Sequence, residues 1–149
     1  MKLADLMTRE VRTVSPSTTV KEATETMKCF DVGILPVCNE GELLGVLTAR
    51  DIVVRVVADG HDPCAITVRE AMTPYVVCCH VEDDAAKAVK IMKNRNIRRL
   101  IVVGRGNVLA GVVTMWDLAS RAGGEKTVAK EPFRFSQVFP CISEHGFIR

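Results

Sequence analysis

The sequence predicts an α+β fold made of two copies of one helix–strand–strand–helix unit. The first observation behind this prediction is an internal repeat, in which Met7-Thr8 recurs as Met72-Thr73 and Gly45-Val46 recurs as Gly111-Val112. The second is that both copies show helical and strand-like hydrophobic patterns in the same order. Because the matches keep their order along the chain, we expect two related units that share one core.

The first unit contains a helix, two strands and a second helix. Apolar side chains in residues 20–27 recur at helical spacing, and the polar residues 15–19 before them supply candidate N-caps. Residues 34–38 and 43–48 are short apolar runs joined by a turn-forming sequence, which predicts two strands. Residues 51–57 are predicted to form the closing helix.

The second unit repeats this order. Helical spacing recurs over residues 85–92, and apolar runs at 99–103 and 108–114 predict the two strands. The last helix is predicted to begin at Asp117 and to end at Gly123-Gly124, because paired glycines stop a helix.

Each unit is expected to open with a short strand, at residues 11–14 and 76–79. The strands are continuous apolar runs, which is typical of sheets covered by helices. We therefore expect two βαββα repeats related by a pseudo-two-fold axis, with small sheets covered by helices. Residues 1–60 are assigned to the first repeat, 61–67 to a linker and 68–122 to the second repeat.

The C-terminal tail, residues 123–149, differs from both repeats in composition. Four of the five Phe residues of the chain lie in it, namely Phe133, Phe135, Phe139 and Phe147. A mobile tail has little use for Phe, so we expect it to pack on its own protein or on a dimer partner. The alternative is a docking segment for an unidentified protein target.

Composition and charge exclude several classes of protein. Lys+Arg number 20 and Asp+Glu 18, and a net charge of +2 is too balanced for binding nucleic acid or anionic lipid by bulk charge. The longest apolar runs fall far short of the roughly 18–20 residues that a bilayer requires. The six Cys residues include no CxxC motif and indicate reduced thiols in the cytoplasm.

The strongest local motif is Gly45-Val46-Leu47-Thr48-Ala49-Arg50-Asp51, repeated as Gly111-Val112-Val113-Thr114-Met115-Trp116-Asp117. A Thr followed three residues later by an acid forms a capping box, which is a sufficient structural explanation. The motif also lies at a strand-to-helix junction, where N–H groups suit phosphate. A carboxylate at that point can accept hydrogen bonds from both ribose hydroxyls. The residues alone therefore indicate a nucleotide-ribose site in duplicate, beside the explanation as helix caps.

Further motifs accompany the two copies in a fixed order: Met7-Thr8, Thr13-Val14-Ser15-Pro16, Gly33-Ile34-Leu35-Pro36-Val37, Met72-Thr73-Pro74 and Ile97-Arg98-Arg99-Leu100-Ile101-Val102. Together they resemble a tandem pair of cystathionine-β-synthase (CBS) domains, a Bateman module, over residues 3–121. The run that begins at Thr48 is typical of small stand-alone bacterial members. The resemblance implies a regulatory, non-catalytic module that senses an adenosine-containing ligand and forms a homodimer.

The resemblance also implies two ligand clefts, each joining the Thr-x-x-Asp motif of one repeat to strand residues of the other. In the family, the Asp holds ribose, the Thr and nearby cations meet phosphate, and the strands hold adenine. The expected ligand is AMP, ADP or ATP, with S-adenosylmethionine or NAD as further candidates. The first cleft would combine Thr48, Arg50, Asp51, Val77, Cys78, Ile97, Arg98 and Arg99. The second would combine Arg12, Thr13, Val32, Gly33, Ile34, Pro36, Thr114 and Asp117.

The arginines distinguish the two expected clefts. Arg50, Arg98 and Arg99 fall in the first cleft, which is therefore expected to bind ADP or ATP more tightly than the second. The structural alternative for these arginines is a solvated strand end. In either cleft, the ligand is expected to bias the relative orientation of the two repeats, which a protein target would then read.

Two other functions stay open at this point. The first is a ligand-free module for dimerisation or protein interaction, in which the Phe-containing tail carries the function. The second and weaker alternative is a thiol- or metal-dependent enzyme, suggested by Cys78-Cys79-His80. Adjacent cysteines of a strand point to opposite faces and make a poor chelate, so no catalytic residue and no metal ligand is expected.

Overall fold

The computed structural model describes residues 1–122, in which helices and short strands alternate. The predicted α+β class is confirmed. In chain order the elements are α1 (Val20–Phe30), β1 (Ile34–Asn39), β2 (Glu42–Thr48), α2 (Ala49–Ile52), α3 (Val68–Ala71), β3 (Cys78–His80), α4 (Ala85–Arg95), β4 (Arg99–Val103), β5 (Leu109–Thr114) and α5 (Met115–Ala122). Helix α2 continues into a π-helical turn (Val53–Val57), and 3₁₀ turns form at Leu3–Asp5 and Arg105–Asn107.

The described residues form two compact units. The first-repeat unit contains Arg12–Val76, and the second-repeat unit contains Met1–Val11 together with residues 77–122. Residues 1–11, assigned to the first repeat, therefore belong to the unit of the second, and residues 68–76, assigned to the second repeat, belong to the unit of the first. The predicted boundaries at 1–60 and 68–122 follow the sequence repeat, whereas the compact units follow contacts between distant segments.

The first-repeat unit is built on an antiparallel hairpin of β1 and β2. Helix α1 begins with a capping box between Thr19 and Glu22, as its polar leading residues suggest. The expected strand at 11–14 is reduced to one parallel bridge between Val14 and Val37. The core joins both strands and three helical segments: Val14, Val20, Ala23, Met27, Leu35, Val37, Leu47, Ile52, Val56, Val68 and Ala71 are buried.

The second-repeat unit contains a three-stranded sheet in the order β3-β4-β5. Strand β3 pairs with β4 in parallel, and β4 pairs with β5 antiparallel. Every residue of the central strand β4 is buried, which accounts for its continuous apolar run. Asp84 caps α4 by accepting a hydrogen bond from the Ala86 N–H at 2.8 Å.

Several boundaries differ from the predicted ones for local reasons. The closing helices begin at Ala49 and Met115, two residues earlier than predicted, because the preceding Thr is the N-cap and the Asp is the third helical residue. Helix α3 and the 3₁₀ turns are too short to produce a periodic pattern. The predicted stop at Gly123-Gly124 and the tail lie outside the described residues. None of the described helices is long and apolar enough to span a membrane.

Candidate functional site

The first Thr-x-x-Asp motif connects β2 to α2. The Asp51 N–H donates to Thr48 Oγ1 at 3.0 Å, and the Thr48 N–H donates to Asp51 Oδ2 at 2.9 Å. Both side chains are buried, with Thr48 2% and Asp51 3% exposed. The Ala49 N–H donates to the Gly33 carbonyl at 2.9 Å, and Ile34 lies opposite Thr48 in the hairpin. The structure thus places the motif beside middle-strand residues of its own repeat.

The second motif connects β5 to α5 in the same way, but it is less buried. Asp117 Oδ2 accepts hydrogen bonds from the Thr114 N–H at 2.8 Å and from Thr114 Oγ1 at 2.7 Å. Both residues are half-buried. The Met115 N–H donates to the Arg98 carbonyl at 2.8 Å, and Arg99 lies opposite Thr114 in the sheet. Two of the predicted phosphate-binding arginines therefore lie beside this motif.

Arg98 and Arg99 differ in their environments. Arg98 is exposed, whereas Arg99 is 6% exposed. Burial lowers the pKa of the Arg99 guanidinium, and the negative charge of Asp117 acts in the opposite direction. The Arg99 guanidinium therefore lies close enough to Asp117 for the two opposite charges to attract each other.

The remaining residues predicted for the second cleft differ in their exposure to solvent. Arg12 and Thr13 are exposed, and the Arg12 guanidinium carbon lies over the Phe30 ring, 4.0 Å from its centroid. This is cation–π geometry, and it orients Arg12 by a contact within its own unit. Val32 is half-buried, and Pro36 is buried in β1.

The remaining residues predicted for the first cleft also vary in exposure. Arg50 is exposed, Val77 and Cys78 are half-buried, and Ile97 is 4% exposed. Burial raises the pKa of the Cys78 thiol, and the charge of Asp83 adds to this effect. The cross-repeat grouping of these residues into two clefts stays a prediction.

Arg55 and Thr73 surround the first motif and are absent from the predicted site. Arg55 Nη1 lies 3.4 Å from Asp51 Oδ1 and donates to the Ala71 carbonyl at 2.8 Å and to Thr73 Oγ1 at 3.2 Å. Thr73 Oγ1 donates to Asp51 Oδ1 at 3.4 Å. The spacing of four residues between Asp51 and Arg55 is a helical ion-pair signal that could have identified the arginine.

The glycine of each motif allows a second segment of the chain to pass close to the strand. We call these segments, around Thr73 in the first unit and Thr8 in the second, the crossing segments. A Cβ added at Gly45 would lie 2.3 Å from the Thr73 carbonyl oxygen, and one added at Gly111 would lie 2.5 Å from the Thr8 carbonyl oxygen. Thr73 pairs with Val46 of β2, and Thr8 makes the equivalent pair on β5. The two glycines are therefore structural members of the repeated motif.

Two equivalent junctions, each with a glycine, a capping box and a crossing segment, establish a duplicated domain. A family model described as "CBS domain" matches residues 3–58 and again residues 68–124. The chain belongs to the CBS domain family. It has the tandem CBS arrangement of a regulatory, ligand-binding module.

Known CBS proteins resemble this chain over most of its length. The CBS domain-containing protein YhcV of Bacillus subtilis is 41% identical over 115 residues, which are 77% of this chain and 81% of YhcV. A crystal structure of Hypoxic Response Protein I with two coordinated zinc ions matches with a TM-score of 0.73 and 30% identity, covering 80% of this chain and 98% of that one. Within residues 1–122 of this CBS protein, no group of three or more His, Cys, Asp or Glu could hold a metal ion.

A structure of CBSX2 in complex with AMP shares the CBS fold. It matches with a TM-score of 0.69, covering 81% of this chain and 95% of CBSX2. At 24% identity the similarity concerns the fold alone.

Proposed function

We propose that this CBS protein is a regulatory module that binds an adenosine-containing ligand of the AMP, ADP or ATP class. The observation that carries the proposal is the second motif, where a half-buried Asp117 stands at a helix start beside Arg98 and Arg99. The carboxylate supplies acceptors for ribose hydroxyls, and the cations and helix N–H groups suit phosphate. The AMP in the CBSX2 complex belongs to the same ligand class.

The residues assigned to the two clefts by the family resemblance are part of this proposal, except that Arg98 and Arg99 are here assigned to the second motif, beside which they lie. The ligand is proposed to shift the population of conformations, which a protein target reads. S-adenosylmethionine and NAD belong to the same adenosyl class, and the panel below tests them as S-adenosylmethionine and NADH. No catalytic step is assigned.

A homodimer is the second part of the proposal. Val53, Val54 and Val57 of the π-helical turn are 57%, 50% and 66% exposed, and neighbouring exposed apolar side chains are typical of an interface. The same observation favours the alternative function, a ligand-free dimerisation module. Light scattering after size exclusion should give a dimer for the wild type and a monomer for Val53→Ser/Val57→Ser. A monomeric wild type would contradict the proposed homodimer.

A thermal-shift panel with AMP, ADP, ATP, NADH and S-adenosylmethionine tests the ligand proposal. A ligand at 100 times its Kd stabilises the fold by about 2.7 kcal/mol, which raises Tm by roughly 10 °C. Ribose 5-phosphate serves as the control ligand, since it lacks the base. The test variant is Asp117→Asn, and Asp59→Asn, which removes the same charge at an exposed position, serves as its control.

The outcomes of the panel separate the two functions. A shift with an adenosyl ligand supports the sensing module, and a shift that shrinks in Asp117→Asn but persists in Asp59→Asn assigns the ligand to the second motif. The absence of a shift with every ligand would leave both motifs as helix caps and would favour the dimerisation module.

A further inference from the structure

The closing helix of the first repeat exposes bulky apolar side chains. Val53, Val54 and Val57 lie on the π-helical turn that continues α2, and each is at least half exposed. We call these three residues the valine ridge. Asp59 and Asp62 follow closely in the chain and are exposed as well. The ridge is therefore followed in the sequence by negative charge at the surface.

The closing helix of the second repeat exposes small side chains at equivalent positions. The correspondence between the two Thr-x-x-Asp motifs makes Ala119 and Ser120 the equivalents of Val53 and Val54. Both small residues lie on α5 and are exposed, and we call them the small face. Bulky side chains pack most closely against small ones across an interface. The valine ridge and the small face are therefore complementary in size.

The two units also differ in net charge. The first-repeat unit, residues 12–76, contains 6 Lys and Arg and 9 Asp and Glu, which gives −3. The second-repeat unit, residues 1–11 and 77–122, contains 10 Lys and Arg and 6 Asp and Glu, which gives +4. Helix α4 contributes four cations and no carboxylate, whereas the equivalent helix α1 contains two of each. Because α4 packs against α5, the basic helix and the small face belong to neighbouring helices.

A two-fold dimer can combine these surfaces in two orientations. In a head-to-head dimer each unit faces the same unit of the partner, so the ridge meets the ridge and like net charges face each other. In a head-to-tail dimer each first-repeat unit faces the partner's second-repeat unit, so the ridge meets the small face. The facing net charges are then opposite, and opposite charges across an interface favour one orientation over another.

We propose that the valine ridge is a docking surface for a second copy of this chain, which binds head-to-tail with its small face on the ridge. This inference rests on the homodimer part of the proposed function and specifies which surfaces form the dimer. The two-fold symmetry forms the contact between ridge and small face twice. The opposite charges of the facing units attract the two copies and orient them.

Complementation between two variants tests this orientation. Val53→Ser/Val57→Ser removes the ridge, and Ala119→Gln/Ser120→Gln covers the small face with larger polar side chains. In a head-to-tail dimer each variant alone has lost both contacts, whereas a mixed dimer keeps one contact intact. Sedimentation velocity should therefore give a dimer Kd at least tenfold tighter for the equimolar mixture than for either variant alone.

A matched control separates the ridge from exposed valines in general. Val108 is 46% exposed and lies outside both closing helices. Val108→Ser is therefore expected to keep the dimer Kd within threefold of the wild-type value. Circular dichroism of every variant should match that of the wild type, since all the substituted side chains are exposed.

The salt dependence of the unmodified protein is an independent test of the charge argument. Salt screens exposed charges, so raising NaCl from about 50 to about 500 mM should weaken a head-to-tail dimer at least threefold. Lys90→Gln/Lys93→Gln, which removes two exposed cations of α4, should reduce this dependence. A head-to-head dimer would respond in the opposite direction, because salt would screen a repulsion.

Two results would overturn the orientation while leaving the homodimer intact. The first is a mixture of the two variants that dimerises no more tightly than the variants alone. The second is a wild-type dimer that tightens as salt is raised. A monomeric wild type would instead refute the homodimer and the orientation together, and would leave the ridge to residues 123–149 or to a different protein. The thermal-shift panel tests the ligand part of the proposed function separately.

Discussion

Replacing Gly45 by Ala is expected to destabilise the protein by about 3 kcal/mol. The new Cβ would lie 2.3 Å from the Thr73 carbonyl oxygen and 3.1 Å from Pro74 Cα, so backbone must move. That backbone is held by hydrogen bonds from the Val46 N–H to the Thr73 carbonyl, 3.0 Å, and from the Thr73 N–H to the Val46 carbonyl, 2.8 Å. Overpacking costs about 1–3 kcal/mol, and each weakened hydrogen bond costs about 1 kcal/mol. The reduced freedom of the unfolded chain returns about 0.4–1 kcal/mol.

Urea denaturation of the ligand-free protein, followed by circular dichroism, measures this free energy of unfolding. Gly33→Ala is the matched control, because a Cβ at Gly33 meets no atom within 4 Å. The control is expected to be neutral or to stabilise by up to about 1 kcal/mol. A loss in Gly45→Ala of less than about 0.5 kcal/mol would refute the claim that this glycine is required by the crossing segment.

Three further predictions concern the cap, the pH dependence and the thiols. Thr48→Val should lower the free energy of unfolding in urea by about 1–2 kcal/mol, because the cap of α2 is lost; an unchanged midpoint would contradict this. A hydrogen bond from Lys87 is the main cause that lowers the pKa of Asp83 from its ordinary value of 3.8. A carboxyl with a lowered pKa stabilises the fold above the unfolded pKa and loses that contribution as pH falls through the folded pKa. The melting temperature should therefore decline below about pH 4, and less steeply in Asp83→Asn; equal slopes would count against this pairing. Iodoacetamide should modify the exposed Cys29 before the buried Cys79, since burial raises the pKa of the Cys79 thiol. Peptide mass spectrometry should show at least a tenfold difference between the two alkylation rates.

Elements with a long hydrophobic pattern could be predicted from the sequence. Helices α1 and α4 bury three of the four residues predicted at helical spacing in each, and both hairpins lie within one or two residues of the predicted strands. The capping boxes at Thr48 and Thr114 follow from the spacing of Thr and Asp. These features depend only on residues that are close together in the sequence, and the hydrophobic and capping patterns describe such residues.

Pairings between distant segments could not be predicted in this way. Met7-Thr8 and Met72-Thr73 were recognised as a repeat, yet a local pattern does not indicate that Thr8 pairs with Val112 and Thr73 with Val46. The contact of Thr73 with Asp51 could not be predicted for the same reason, because Thr73 arrives from that crossing segment. The proximity of Arg99 to Asp117 follows from strand register, and register depends on the whole hairpin.

The capping box and the ligand site need not be competing explanations of the Thr-x-x-Asp motif. In the second motif the cap uses Oδ2 of Asp117, and this carboxylate is half-buried. In the first motif the cap also uses Oδ2 of Asp51, but Arg55 and Thr73 lie against Oδ1. The two copies therefore form the same cap but differ in burial, since Asp51 is buried and Asp117 is half-buried. For this reason the function of a repeated motif has to be argued separately for each copy.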